Sequence, residues 1–384
     1  MSDDAFELPT KYRELADQAR QVAKQVIPFA ERADESDHFD PDVRQILADS
    51  GLVTVTVPER FGGRWAEVDS LAVTVVREQL AFESAHADSI FCMQGIGSYA
   101  LAQAGHPEVQ DHWLPRVARL DAVAALGLTE PDVGSDLRSI TTVIETDGDN
   151  LRINGHKSFI TNAGDADFYT MLGKETIDGQ EQYSLVLVPA DAPGVTVNQP
   201  HQIIAPHVLG DVVMQDVVVP SSHRIGEPGK GFGLVLATLS TFRVSVAGAA
   251  VGVAQAALEE ATRHAAGREQ FGVPLARLGG VPAQLAQSWA DIEMARALTY
   301  RAAAASARDA RGNLYLSSLA KAGATEAAGR VVDRCVQVMG RFGITRGTKI
   351  ERLYREARPL RIYEGATEVI YDSLAKDLVR KVVG

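Results

Sequence analysis

Apolar residues recur three and four positions apart through residues 12–30, 71–91 and 96–104, the spacing that gathers them on one face of a helix. Gly51, Gly62 and Gly63, with Pro41 and Pro58, interrupt these runs where turns belong. Near residue 120 the period changes. Short segments rich in β-branched residues follow: TTVIET, LRING, SFIT, YSLVLVPA, GVTV and DVVMQDVVVP. The turn-forming DGDN (147–150) and DAPG (191–194) separate some of them. Strands succeeding one another without helices between them predict an antiparallel β-region, not the strand–helix alternation of a parallel sheet. From residue 232 the helical period returns in long stretches: 234–267, 283–311, 314–340 and 363–382. The expected fold is α+β and mostly α. It has an N-terminal helical domain (1–120), a middle antiparallel β-domain (121–233) and a C-terminal helical domain (234–384).

Composition narrows the chemistry. The 384 residues exceed one ordinary core, and 46% apolar with 23% charged residues is a globular balance. A net charge of −12 disfavours a nucleic-acid partner held by its phosphates and an anionic membrane surface. Cys92 and Cys335 form neither a disulfide framework nor a Cys-x-x-Cys pair. The nine histidines lack metal-ligand spacing, so no metal is assigned. The first residues are acidic and then amphipathic, unlike a secretory signal, and the chain lacks an unbroken apolar run of about 18 residues. A cytoplasmic location is expected.

One carboxylate stands out. Glu364 lies in RIYEGATEVI (361–370), just before a helical stretch. The helix dipole by itself accounts for many such glutamates. Here, however, the neighbours Ile362, Tyr363, Ala366, Val369 and Ile370 are apolar, and Gly365 leaves the backbone open to close approach. A carboxylate desolvated in that setting acquires a pKa suited to a general base.

Five separated motifs together resemble the acyl-CoA dehydrogenase family. They are LGLTEPDVGSD (126–136), INGHKSFITNAGDADF (153–168), GREQFGVPL (267–275), QVMGRFG (337–343) and LYREARPLRIYEGATEVI (353–370). The resemblance covers nearly the whole chain and implies three domains, the last a four-helix bundle. It also implies an FAD cofactor and a homotetramer or homodimer with FAD at a subunit interface. By the same resemblance, Leu126, Thr129, Gly134 and Ser135 would lie along the flavin and its pyrophosphate. Phe159, where the family commonly has tryptophan, would cover the ring face, and Thr161 would bond near N5. Phenylalanine keeps the stacking surface and loses the indole donor. Arg268, Gln270, Phe271, Gln337 and Gly340 would come from a neighbouring subunit, and a planar permanent cation such as Arg268 suits phosphate oxygens. Ala366 and Glu368 complete the cofactor set. Arg341 departs from the pattern, standing where a second glycine is common. A competing account of Pro131 and Gly134 is that they shape a turn.

The implied reaction converts an acyl thioester to a trans-2-enoyl thioester. Glu364 takes the α-proton, a hydride passes to flavin N5, and an electron-transferring flavoprotein reoxidises the flavin. Ser135, Arg243 and Gly365 would meet the substrate. Some relatives carry the base on the helix that here holds Thr241-Phe242-Arg243, without a carboxylate. Ser240 stands where CoA-binding members often have aspartate. Acyl-CoA and an acyl group on a carrier protein therefore both remain open as substrates, and a flavin oxidase on the same fold remains a second enzyme class. A non-catalytic relative would have lost the base. GEPGKGFG (226–233) does not fit a phosphate loop, because Lys230 is followed by Gly231 and Phe232.

Overall fold

The computed structural model describes residues 8–199 and 201–384; the acidic start, residues 1–7, lies outside them. Five helices come first: α1 (Thr10–Ala33), α2 (Pro41–Ser50), α3 (Ser70–Glu83), α4 (Ala85–Ala104) and α5 (Pro107–Ala118). On α1 the buried residues Leu15, Ala19, Val22, Val26 and Ala30 fall three or four apart, the stripe expected of a helix with one wet face. The Asp40 carboxylate caps α2 by accepting from the N–H groups of Asp42 and Val43, and Gly51 ends it at φ 68°.

Eight strands follow: β1 (Ala124–Gly127), β2 (Val143–Asp147), β3 (Asn150–Thr161), β4 (Phe168–Ile177), β5 (Gln180–Pro189), β6 (Val195–Asn198), β7 (Leu209–Pro220) and β8 (Arg224–Ile225). They form one sheet in the order β6-β7-β3-β2-β4-β5-β8, with β1 beside β4. Most pairings are antiparallel, as expected, but β1 and β2 each pair with β4 in parallel. Long connections separate both from β4, and a long connection does not dictate direction as a hairpin does. Along β4 the side chains alternate between two cores. Phe168 and Leu172 join Leu101, Leu114 and Leu187, while Tyr169 and Met171 join Ile153, Val186 and Val212. Both faces are thus covered, which explains the near-continuous apolar run of YSLVLV on β5.

The remaining elements are α6 (Gly231–Gly267), a two-stranded ribbon of β9 (Glu269–Gln270) and β10 (Val273–Pro274), α7 (Val281–Arg308), α8 (Leu314–Met339), α9 (Lys349–Ala357) and α10 (Thr367–Val383). Length and composition would let α6 cross a membrane, contrary to the expectation drawn from unbroken apolar runs, but most of its apolar window is buried inside the protein. Scattered small polar residues hid its overall apolarity.

The chain divides into two compact units that do not follow its thirds. The first joins the described chain up to Asp34 and Ser70–Asp88 to Arg243–Gly384. In it α3 packs on α1 and α7, and α8 packs on α7, α9 and α10. α6 approaches α3 backbone to backbone. A Cβ on Gly248 would sit 2.6 Å from the Thr74 carbonyl oxygen, and one on Gly252 would sit 2.2 Å from that of Glu78. The second unit comprises Glu35–Asp69 and Ser89–Phe242, and holds the sheet with α2 and α5.

Candidate active site

In the first unit, the chain between α9 and α10 turns through Glu364 at φ 52° and Gly365 at φ 106°. Left-handed backbone at glutamate is uncommon and persists only where surroundings enforce it. Two cations do so. Arg243 Nε, from α6, donates to the Glu364 carbonyl at 3.1 Å, and Lys321 Nζ, from α8, donates to the Gly365 carbonyl at 2.6 Å. Arg243 Nη1 also donates to Ser318 Oγ at 3.1 Å. Gly365 could not be replaced without strain, since its φ of 106° is one that side-chain-bearing residues rarely adopt, and an added Cβ would also crowd the Ile370 side chain at 3.3 Å.

Glu364 is half-buried as a residue, yet its Oε2 is sealed from solvent and has no hydrogen-bond partner. Burial pushes its pKa above the ordinary carboxylate value, while the charges of Arg77, Arg243 and Lys321 pull it back and Asp88 adds slightly to the rise. Arg77 is itself engaged by Asp88 through bonds of 2.8 and 2.7 Å, and by Ser245 Oγ at 3.0 Å. Ala366 caps α10 without a side-chain bond, and Glu368 lies in its first turn. Thr241, at the alternative base position, bonds its own helix at the Ala237 carbonyl. Ser240 does the same at Leu236.

Also in the first unit, the Arg268 guanidinium lies 5.3 Å from the centre of the Phe342 ring, and Arg341 lies 4.9 Å from it. The unusual Arg341 therefore shares one aromatic ring with Arg268. Phe271 is 95% exposed and in the left-handed region; Gln270, on β9, and Gln337, on α8, are exposed too. Gly340 ends α8 at φ 56°.

The second unit holds Leu126, Thr129, Gly134, Ser135, Phe159 and Thr161. Leu126 is half-buried on β1, and Gly134 and Ser135 are exposed, with open space where a Gly134 Cβ would be. Beneath Thr129, the Glu130 carboxylate accepts from the N–H and hydroxyl of both Thr141 and Thr142, and from Lys157 Nζ at 2.8 Å. Burial would raise its pKa, but these bonds outweigh burial and hold it at about 2. Burial lowers the Lys157 pKa against the attraction of Glu130. Ser158 N–H donates to the Thr129 carbonyl at 3.0 Å. The Glu130–Lys157 pair thus fastens the two motif segments together.

Ser158 and Phe159 sit in a register break of the β3–β7 pairing, between Lys157 and Ile160. Such a bulge re-aims a side chain. Phe159, at φ 56°, is 53% exposed, and its ring stacks on His201 at 4.0 Å and 21°. His201 Nε2 lies 2.6 Å from Asp211 Oδ1, Ser158 Oγ donates to the same oxygen at 2.7 Å, and His156 Nε2 lies 3.0 Å from Oδ2. Burial would raise the Asp211 pKa, but bonds from Ser158, His201 and His156 bring it to about 2. Sequence reasoning missed Glu130, Lys157, His201, Asp211 and Lys321. The first two lie inside the quoted motifs, and Lys321 was legible as a lone charge in the apolar run LSSLAKAGA. Nothing local marked His201 or Asp211. Among the described residues no cluster of three or more His, Cys, Asp or Glu is placed to hold a metal.

Three family models match in chain order: the N-terminal (9–121), middle (125–217) and C-terminal (229–379) domains of acyl-CoA dehydrogenase. Cyclohexane-1-carbonyl-CoA dehydrogenase of Geobacter metallireducens is 31% identical over 379 residues, 98% of this chain and 99% of that protein. Butyryl-CoA dehydrogenase from Megasphaera elsdenii superposes with a TM-score of 0.92 at 28% identity, covering 98% of this chain and 100% of that one. A glutaryl-CoA dehydrogenase from Mycobacterium smegmatis, solved in complex with FADH2, gives a TM-score of 0.90 at 25% identity, covering 97% of this chain and 95% of that one. The chain belongs to the acyl-CoA dehydrogenase family, enzymes that use FAD to dehydrogenate acyl-CoA thioesters.

Proposed function

We propose that Glu364 is the base that removes the α-proton of an acyl-CoA. The observation that carries this reading is its carboxylate: one oxygen is buried and unpartnered, in a left-handed turn completed by Gly365 where cations favour ionisation. An unsatisfied buried carboxylate oxygen costs stability in a purely structural role. In an active site it is an acceptor waiting for a proton. The same turn offers the Glu364 N–H to the thioester carbonyl, where enolate-like charge develops as the proton leaves; a donor of that kind contributes roughly 10²–10³ in rate.

FAD fits the residues present. Phe159 offers an exposed aromatic face backed by His201, and the space beside Gly134 is open. Thr129, Ser135 and Thr161 would supply hydroxyls, with Leu126 beside them. Arg268, Gln270, Phe271, Gln337 and Gly340 would serve a second copy's cofactor. The Phe271 ring is almost bare and accessible for such a contact. When bound, FAD supplies the hydride acceptor for the β-carbon. The chain's residues exclude water from the Glu364 carboxylate, orient it and receive the proton. The product is a trans-2-enoyl-CoA, and an electron-transferring flavoprotein takes the electrons in a homotetramer or homodimer.

The test is anaerobic mixing of the FAD-loaded protein with straight-chain, branched and cyclic acyl-CoAs, following loss of the flavin's visible absorption. Glu364→Gln keeps FAD and slows this bleaching by roughly 10²–10⁴-fold or more. Bleaching at the normal rate in that variant refutes the assignment.

A further inference from the structure

α8 is alanine-rich, and Lys321 lies in it between Ala320 and Ala322 with none of its surface exposed. Removing an ammonium from water costs several kcal/mol unless strong partners replace the hydration. Among the described residues Lys321 has one hydrogen bond, the 2.6 Å bond to the Gly365 carbonyl. A structural lysine would be expected to pair with a carboxylate. This one holds a peptide oxygen one residue beyond Glu364.

We propose that Lys321 is a positioning residue for the dehydrogenation. Its ammonium pins the Gly365 carbonyl, so that the left-handed turn keeps the Glu364 carboxylate aimed, and its charge favours the ionised carboxylate. Arg243 holds the preceding carbonyl from α6, so two helices grip successive peptide groups of one turn. The charged groups acting on Glu364 are Arg77 from α3, Asp88 from α4, Arg243 from α6 and Lys321 from α8. Arg77 is engaged by two bonds to Asp88, which offsets part of its pull on Glu364, whereas Arg243 and Lys321 are the cations that also hold the backbone of the turn. Glu326 on α8 and Glu368 on α10 also act on Lys321. Burial first, then the repulsion of Arg243, brings the Lys321 pKa down to about 8, against the pull of Glu364. It therefore remains charged at neutral pH.

The inference rests on Glu364 being the base, and the experiment separates the two claims. FAD-loaded Lys321→Met, Lys321→Arg and Glu364→Gln are compared with the parent, using the acyl-CoA that bleaches the parent fastest. kcat and KM are measured from about pH 5.5 to 9. Lys321→Met is expected to lower kcat roughly 10–100-fold with KM changed less than about 3-fold, and to move the acidic limb of kcat up by about one pH unit. Lys321→Arg, which keeps the charge, returns that limb to its parental position. An unmoved limb in Lys321→Met, with or without lost activity, overturns the proposal. If Lys321→Met does not retain FAD, Lys321→Gln, which keeps a donor without charge, must show the same displaced limb, and an unmoved one overturns the proposal. Near-normal turnover by Glu364→Gln removes the base and this inference with it. An inactive Glu364→Gln beside a parental Lys321→Met removes this inference alone.

Discussion

Replacing Glu130 by glutamine changes one oxygen to an NH2 group and removes one charge. In the parent, Oε2 accepts from the N–H and hydroxyl of Thr141, and Oε1 accepts from Thr142 and Lys157. In Glu130→Gln, one of these sites presents a donor to donors, and Lys157, with 0% of its side chain exposed, loses its counter-charge. The network lowers the Glu130 pKa from an ordinary 4.5 to about 2, which at about 1.4 kcal/mol per pH unit favours the ionised form by about 3 kcal/mol. Breaking a buried pair from one side costs roughly 3–5 kcal/mol, so the thermal midpoint of the FAD-loaded protein should fall by roughly 10 °C. The double variant Glu130→Gln/Lys157→Met, with no buried charge, should recover much of that loss. Because the folded pKa is depressed, this stability is present above about pH 4.5 and is lost as pH falls toward 2. Glu130→Gln should therefore flatten the acid limb of unfolding, followed by circular dichroism. A change under about 0.5 kcal/mol, or a double variant no better than the single, refutes this account.

Three further outcomes are expected. Gly365→Ala should keep FAD but lose roughly 10–100-fold in kcat in the bleaching assay, because an alanine at φ 106° carries about 1–3 kcal/mol of strain that relaxes by moving the base; unchanged kcat contradicts this. Asp211→Asn should loosen the His201 stack behind Phe159 and weaken FAD binding about tenfold by fluorescence titration, and parental affinity would show the stack to be idle. Burial and the neighbouring Asp34 push the Glu356 pKa well above the usual range, with Arg352 opposing them. Such a group stabilises the fold at low pH and loses that contribution as pH rises through its folded value. Glu356→Gln should then raise the melting temperature at neutral pH and leave it unchanged near pH 4, and a lower melting temperature at neutral pH counts against this reasoning.

Helix–strand–helix order was legible along the chain because local period reports which face is buried, and TEPDVGSD and YEGATEVI were legible because each is a contiguous run. The left-handed turn was foreshadowed by Gly365, though Glu364 sharing that conformation was not. Other features depend on residues far apart in sequence. The grouping of α1 and α3 with the C-terminal helices arises from backbone contact at Gly248 and Gly252, which no helical period encodes. The two parallel pairings with β4 follow from long connections that leave strand direction free. The Asp211–His201 support of Phe159 spans a loop and a bulge, and Lys321 reaches Gly365 across 44 positions. Burial and charge at Glu364 come from four helices together, so sequence named the carboxylate and only the tertiary structure determined its surroundings.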